Sequence, residues 1–421
     1  MATPRASRRS LSSRLGLVML AAAVVVVALR VTGIGSGPDL KWDPDLTDLK
    51  VYLTAGRNWR NGEAIYSDDP YLGFLYPPLT AVVFGVASLV PFRVLALAWT
   101  TANGLLVPFI LRRLGLPWER ALLWSVAVVI LVLPVRETIM LGQVNLMLCA
   151  LVVCAFYPGG GTRRPLRAGC QVGIATAIKL TPGLFIAYFA LERRFRLCLA
   201  AAVVMVVTIA LGYAVAPRDS VVFWSRLLSG GTGLGNTAVY LYNQSLSGAL
   251  LRVFGTGRWV HTLALLMTVV SAVVTAAVGA AWGRSGDRLA ALSLVALGTL
   301  LASPVSWTNH YVWLLPSAVW AARRGQDIVA GLRHQARRPA PALVLAVIAA
   351  AVLVVWMSTC PFSYLPSGGD LELQYSAADK AVSGLTAVIG LVFVALMAVA
   401  ARGRPRAVDT PLGPRLAHGR T

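Results

Sequence analysis

The amino-acid sequence predicts an all-α polytopic membrane protein with about twelve spanning helices and further helices in its first external loop. Three observations carry this. Of 421 residues, 57% are hydrophobic and only 13% are charged, whereas a soluble chain carries roughly a quarter charged residues. Apolar stretches of spanning or near-spanning length recur along the whole chain. The 38 basic residues, against 17 acidic ones for a net charge of +21, cluster between those stretches, as cytoplasmic connections do under the positive-inside rule. A water-soluble enzyme is excluded, and so is a disordered chain, which needs low hydrophobicity. The basic excess is accounted for by membrane topology, without nucleic acid.

The first apolar stretch, 15–34, follows a basic tail (1–14) with Arg5, Arg8, Arg9 and Arg14. It is long enough to span and no small-x-small cleavage site follows it, so it reads as a retained first span with a cytoplasmic N-terminus. The next stretch, 74–91, opens with Tyr76-Pro77-Pro78, is interrupted by Gly85 and ends at Pro91. If it dips into the membrane from outside and returns, cytoplasmic segments hold 25 Lys/Arg and external ones 12; if it crosses, the two numbers exchange. The dip is therefore expected. Stretches at 93–111, 120–135 and 141–158 follow. Region 168–191 is flanked by Arg163, Arg164 and Arg167 before it and by Arg193, Arg194 and Arg196 after it. Both clusters stay on one face only if two short helices meet at Lys179-Leu180-Thr181-Pro182, where Pro182 breaks the chain. Such short helices line an indentation shielded by their neighbours. The remaining stretches are 197–216, 260–282, 288–303, 310–322, 342–358 and 380–401. Twelve spans result, with 15–401 as one domain and 402–421 as a second cytoplasmic tail.

On this topology the external face receives the first loop (35–92), corners at 136–145 and 179–182, a long loop (217–259), the corner 303–310 and the loop 359–379. The first loop contains Asp39, Asp43, Asp45, Asp48, Glu63, Asp68 and Asp69. Asp48 opens the stretch Asp48-Leu49-Lys50-Val51-Tyr52-Leu53, whose Leu49, Tyr52 and Leu53 recur at helical spacing, so it should lie along the membrane surface. Helix capping is the common use of such an aspartate, but Asp48 also sits between the first span and the dipping segment. Lys179 lies in the break between two apolar helices, where an ammonium is costly unless paired or wet; snorkelling to the external surface is the alternative. Arg136 beside Glu137 reads as a local ion pair or a cation at an external corner.

Gly142-Gln143-Val144-Asn145 places two amides at a helix start, and interhelical packing is the commoner use of such an Asn. Asn243-Gln244-Ser245 also spells a glycosylation sequon, a match that arises often by chance. In Ser303-Pro304-Val305-Ser306-Trp307-Thr308-Asn309-His310-Tyr311, the residues Trp307, His310, Tyr311 and Trp313 form either an interfacial aromatic belt or a sugar-facing set. No histidines or carboxylates have spacing that demands a metal, and there is no Walker loop or dinucleotide fingerprint. Cys149, Cys154, Cys170, Cys198 and Cys360 lack metal-type spacing, and four lie in apolar runs as core residues.

Taken in order, these segments resemble the GT-C superfamily of polyprenol-phosphate-sugar-dependent glycosyltransferases, and within it the actinobacterial family 87 α-1,2-mannosyltransferases of phosphatidylinositol mannoside synthesis. The strings that carry the likeness are Asp48-Leu49-Lys50-Val51-Tyr52, Tyr76-Pro77-Pro78, Gly142-Gln143-Val144-Asn145, Lys179-Leu180-Thr181-Pro182, Asn243-Gln244-Ser245 and the run from Ser303 to His310. They cover about residues 45–320; the chain after that carries no matching motif. Family members often show paired histidines where this chain has Asn309-His310.

The resemblance implies a GT-C fold and an inverting transfer of mannose from a polyprenyl-phosphate donor to a glycolipid acceptor, phosphatidylinositol mannoside or lipomannan in type, on the periplasmic face. It implies Asp48 as the general base. Lys179, His310 and Arg136 are then candidates to receive the departing phosphate. Gln143, Asn145, Asn243 and Gln244 would orient sugar hydroxyls, Trp307 would pack on a pyranose face, and Tyr76 would belong to the membrane-level wall; Tyr52, Thr308 and Asn309 complete the expected sugar and acceptor contacts. No cofactor and no metal are expected, and the partners are the two lipid substrates and the bilayer. An arabinofuranosyltransferase of similar architecture is the alternative within the enzyme class. A transporter is the alternative outside it, but transporters bind near the midplane and often show inverted repeats, whereas here the polar groups gather at one face and no repeat is evident.

Overall fold

A computed structural model describes residues 45–66, 73–157, 164–228, 238–333 and 339–402. The expected first span (15–34), both basic tails apart from Arg402, and Asp39, Asp43, Asp68 and Asp69 lie outside them. Every regular element among the described residues is helical. In chain order these are α1 (Thr47–Asn61), α2 (Pro78–Ala87), α3 (Phe92–Arg113), α4 (Trp118–Leu131), α5 (Leu133–Met140), α6 (Asn145–Phe156), α7 (Arg164–Ile178), α8 (Leu184–Leu191), α9 (Phe195–Val215), α10 (Pro217–Leu228), α11 (Leu246–Phe254), α12 (Arg258–Arg284), α13 (Arg288–Leu301), α14 (Leu315–Arg333), α15 (Pro341–Thr359) and α16 (Ala377–Ala401), with a 3-10 turn over Thr308–Leu314.

Five helical segments among the described residues are long and apolar enough to cross a membrane: α3, α9, α12, α16, and α15 with its continuation to Tyr364. The pair α4 and α5 also passes, but it bends by 82°, where Val132 leaves the helix and Pro134 stands in the first turn of α5. The protein is therefore a multi-pass membrane protein. The lipid-facing sides of the long helices are apolar, as with Leu97, Val206, Leu265 and Val355, all well exposed.

Helix α13 occupies the interior. In α13 every residue from Leu289 to Leu301 is buried, and the helix is apolar all round because it has neighbours all round: α12, α14, α8, α16 and the Thr308–Leu314 turn pack on it. The break expected near Pro182 is present. Helix α7 ends at Ile178, a single 3-10 turn covers Thr181–Gly183, and α8 begins at Leu184. The dipping segment is also short: α2 has ten residues, roughly 15 Å of helix. Gly85, read from sequence as an interruption, instead lies within α2 as a contact point. A Cβ placed on Gly56 of α1 would stand 2.3 Å from the Gly85 nitrogen, so the two helices touch at backbone level. The long loop 217–259 contains α10 and α11, and the corner 136–145 contains most of α5.

Because the α1–α2 contact leaves no room for a side chain, Gly56→Leu should force the helices apart and cost about 1–3 kcal/mol. Thermal unfolding of the detergent-solubilised protein should begin several degrees lower. Gly104→Leu on α3, where nothing lies within 4 Å of the added Cβ, should leave the transition in place.

Candidate functional site

Helix α1 starts against the end of α5. The Leu46 N–H donates to the Met140 carbonyl at 3.1 Å, and the N–H groups of Asp48 and Leu49 both donate to the Leu141 carbonyl at 3.0 and 3.2 Å. Unpaired amides at one helix start thus satisfy unpaired carbonyls at another helix end. The N-cap residue Leu46 offers no side-chain cap, and the side chain that accepts from the first amide, that of Thr47, belongs to Asp45 at 3.0 Å, so Asp48 is not spent as a cap. Gly142 follows with φ +72°, and a Cβ there would sit 2.7 Å from the Leu49 Cβ; only glycine permits both the backbone turn and the approach of α1. The turn aims the next side chain, Gln143, at Asp48.

From Asp48 a chain of side chains runs inward. Gln143 donates through Nε2 to Asp48 Oδ2 at 2.8 Å. The Tyr52 hydroxyl donates to Gln143 Oε1 at 2.8 Å, the Tyr76 hydroxyl lies 3.0 Å from the same oxygen, and the two hydroxyls are 2.7 Å apart. Lys179 Nζ stands 3.5 Å from the Tyr76 hydroxyl, donates to Asn145 Oδ1 at 3.1 Å and lies 2.8 Å from His310 Nε2. The Trp307 backbone N–H donates to His310 Nδ1 at 3.2 Å. Asn145 Nδ2 donates to both the carbonyl and the side-chain oxygen of Asn309, at 3.2 and 3.1 Å. Thr138 donates to the same Asn309 carbonyl at 2.9 Å, and Thr308 donates to Glu137.

Eight sequence-nominated residues therefore share one network: Asp48, Tyr52, Tyr76, Gln143, Asn145, Lys179, Asn309 and His310. Trp307 joins it through its backbone, with its half-buried ring edge-on to Tyr240 at 6.1 Å. Arg136 is buried on α5, the helix that packs along the Thr308–Leu314 turn. Thr308 reaches α5 through Glu137.

Asn243 and Gln244 stand behind this network. Asn243 donates through Nδ2 to the carbonyls of Ala238 and Pro304 at 2.8 and 3.2 Å, and its Oδ1 accepts from the backbone N–H groups of Ser245 and Ser306 at 3.2 and 3.0 Å. Gln244 donates to the Leu241 carbonyl at 2.6 Å and accepts from Thr386 at 2.5 Å. The Asn243 side chain is saturated by protein and holds the 303–310 corner in place, and Gln244 reaches that corner through its backbone N–H, which donates to the Ser306 carbonyl at 2.8 Å. Asn243 is fully buried, so the folded chain presents no glycan acceptor there.

Two residues of this brace carry no motif. Arg252 is buried on α11 and donates to the carbonyls of Val239, Tyr240, Asn243 and Ser383. Glu372 is buried and accepts from the N–H groups of Leu241 and Gly368. The signal for Arg252 is an arginine inside the apolar run of α11; Glu372 gives none beyond its charge. Among the described residues no cluster of three or more His, Cys, Asp or Glu is arranged to hold a metal ion.

Asp48 is the carboxylate of the site. Burial, which disfavours the charged form, pushes its carboxyl up from 3.8 to about 6, while the hydrogen bond from Gln143 pulls the other way. At neutral pH it is ionised yet close enough to its pKa to accept a proton readily.

Residues 74–304 match the model of glycosyltransferase family 87. Over 320 residues, 67% of this chain and 71% of the relative, the sequence is 33% identical to the polyprenol-phosphate-mannose-dependent α-(1-2)-phosphatidylinositol mannoside mannosyltransferase of Mycolicibacterium smegmatis. It is 32% identical over 303 residues, 69% of this chain and 72% of the relative, to the corresponding phosphatidylinositol pentamannoside mannosyltransferase of the same organism. To the phosphatidylinositol mannoside mannosyltransferase of Mycobacterium tuberculosis it is 30% identical over 395 residues, 86% of this chain and 87% of the relative. No solved structure matches the chain.

The raised Asp48 pKa sets a sign for stability. The folded state holds the proton more tightly than the unfolded chain, so the contribution of Asp48 is full below about pH 4 and is lost as pH rises through about 6. Asp48→Asn should therefore unfold at a higher temperature than the wild type at pH 8, with the gain shrinking toward pH 5, as read by thermal scans in detergent.

Proposed function

The chain belongs to glycosyltransferase family 87, and from that membership we propose that it transfers mannose from polyprenyl-phosphate-mannose to a hydroxyl of a phosphatidylinositol mannoside-type glycolipid, forming an α-1,2 linkage with inversion. The donor and acceptor classes are those in the names of the relatives. The observation that carries the reading is the convergence of strings far apart in sequence, from Asp48 to His310, into one hydrogen-bonded network.

In the proposed reaction the acceptor hydroxyl attacks C1 of a β-linked mannosyl phosphate. The bond from C1 to the phosphate oxygen breaks, and its electron pair leaves with the phosphate. The new bond forms to the acceptor oxygen, whose proton passes to Asp48. Charge grows on the departing phosphate, and Lys179 and His310 are assigned to receive it. Gln143 and Asn145 hold the ends of this arrangement in register. Asn243 and Gln244 act one layer back, by fixing the corner that carries Trp307 and His310. Tyr76, just before α2, places the network at the membrane-level wall. The twelve-span GT-C topology with both tails cytoplasmic and the site on the outer face belongs to the same proposal, supported by the clustering of basic residues and by the short helices around the site.

Asp48→Asn should lower transfer from polyprenyl-phosphate-mannose by at least about 100-fold in membranes where the variant is present at wild-type level; turnover within a few-fold of wild type would remove Asp48 from the base role. Because protein donors are assigned to the leaving phosphate, EDTA should leave the rate largely intact, measured with radiolabelled donor and a phosphatidylinositol mannoside acceptor. A strict divalent-ion requirement would count against that assignment.

A further inference from the structure

The hydrogen-bond partners of His310 determine where its proton sits. A backbone N–H only donates, so the Trp307 N–H at 3.2 Å obliges His310 Nδ1 to be the bare, accepting nitrogen. A neutral imidazole then carries its proton on Nε2, and that N–H points at Lys179 Nζ, 2.8 Å away. An ammonium has three donors and no acceptor, so it would meet the Nε2–H donor to donor. A neutral amine fits: its lone pair accepts from His310, one N–H is donated to Asn145 Oδ1 at 3.1 Å, and the other faces the Tyr76 hydroxyl at 3.5 Å.

Beyond Tyr76 the donors keep the same direction. The tyrosine protons are directed to Gln143 Oε1, and Gln143 Nε2 donates to Asp48. Every bond from the Trp307 N–H to the Asp48 carboxylate points one way, and that direction holds only while the amine accepts from His310. The groups facing Nζ are Asn145 from α6, Tyr76 from the segment before α2 and His310 from the Thr308–Leu314 turn. The charged group beyond them is Asp48 of α1, separated from Nζ by Tyr76 and Gln143.

We infer that Lys179 is held as a neutral amine in the substrate-free protein and acquires its positive charge, together with one proton from solvent, when an anionic phosphodiester binds. The phosphodiester oxygens supply acceptors for both His310 Nε2–H and the new ammonium, which removes the donor–donor conflict. Lys179 becomes cationic only with its anion in place, so the empty site avoids an unpaired charge among apolar helices. This rests on the donor reading above and adds to it the protonation state of the site.

The test is calorimetric titration of the purified full-length protein in detergent at pH 8 with short-chain polyprenyl-phosphate-β-mannose and no acceptor, in two buffers of different ionisation enthalpy. The wild type should take up about one proton per donor bound. Asp48→Asn should keep that uptake. Lys179→Arg, charged at any working pH, should bind with uptake near zero. In His310→Gln the amide oxygen accepts from an ammonium, so uptake should fall by at least about half; this variant carries the test if Lys179→Arg does not fold. Donor binding by the wild type without proton uptake overturns the inference and leaves the donor reading intact, and uptake that survives in Lys179→Arg or vanishes in Asp48→Asn overturns the assignment to Lys179. A monodisperse wild type that binds no donor overturns the donor reading and this inference with it.

Discussion

A carboxylate at the edge of an apolar bundle persists as an anion only where donors are aimed at it, and the organisation of this protein around Asp48 follows from that constraint. Its main donor is the side-chain amide of Gln143, itself oriented by Tyr52 and Tyr76. The backbone beneath it is fixed by the mutual satisfaction of two helix ends, α1 giving its first amides to carbonyls at the end of α5. Neither arrangement is local. Gly142 must turn with positive φ, and Gly56 must let α2 approach, before Tyr76 meets Gln143.

The side of the site that carries Lys179 and His310 is built by a different device. Lys179 stands in a helix break, where the chain after Ile178 leaves α7 and the Thr181–Gly183 turn redirects it into α8. His310 arrives on a 3-10 turn held from behind by Asn243, Gln244 and Tyr311, with Arg252 and Glu372 bracing residues 239–243 in turn. The part of the chain beyond about residue 320, which has no motif of its own, therefore serves the site: Thr386 and Ser383 on α16 close the brace. The Asn309 carbonyl ties Asn145 and Thr138 together, and its side-chain oxygen accepts from Asn145 as well.

Much of this was legible in the sequence because each feature has a local cause. Pro182 breaks a helix wherever it falls, Tyr76-Pro77-Pro78 starts a short one, and a composition of 57% hydrophobic residues leaves no soluble fold. Asp48, Gln143, Lys179 and His310 stood out as polar residues in apolar or corner positions, where such groups are costly unless used. The roles of Asn243 and Gln244 were not legible, since an amide that orients a sugar and an amide that saturates a corner are written with the same letters. Arg252 and Glu372 were missed for the same reason: burial depends on what packs against a residue from elsewhere in the chain.

The sequence by itself determined the multi-pass helical character, the helix break at Pro182 and most of the polar residues that meet around Asp48 and Lys179, because hydrophobicity, proline and helical spacing act over a few neighbouring residues. Only the tertiary structure decided which of those residues touch. Hydrogen bonds act over about 3 Å, and side chains hundreds of positions apart come within that range only after the helices that carry them have packed.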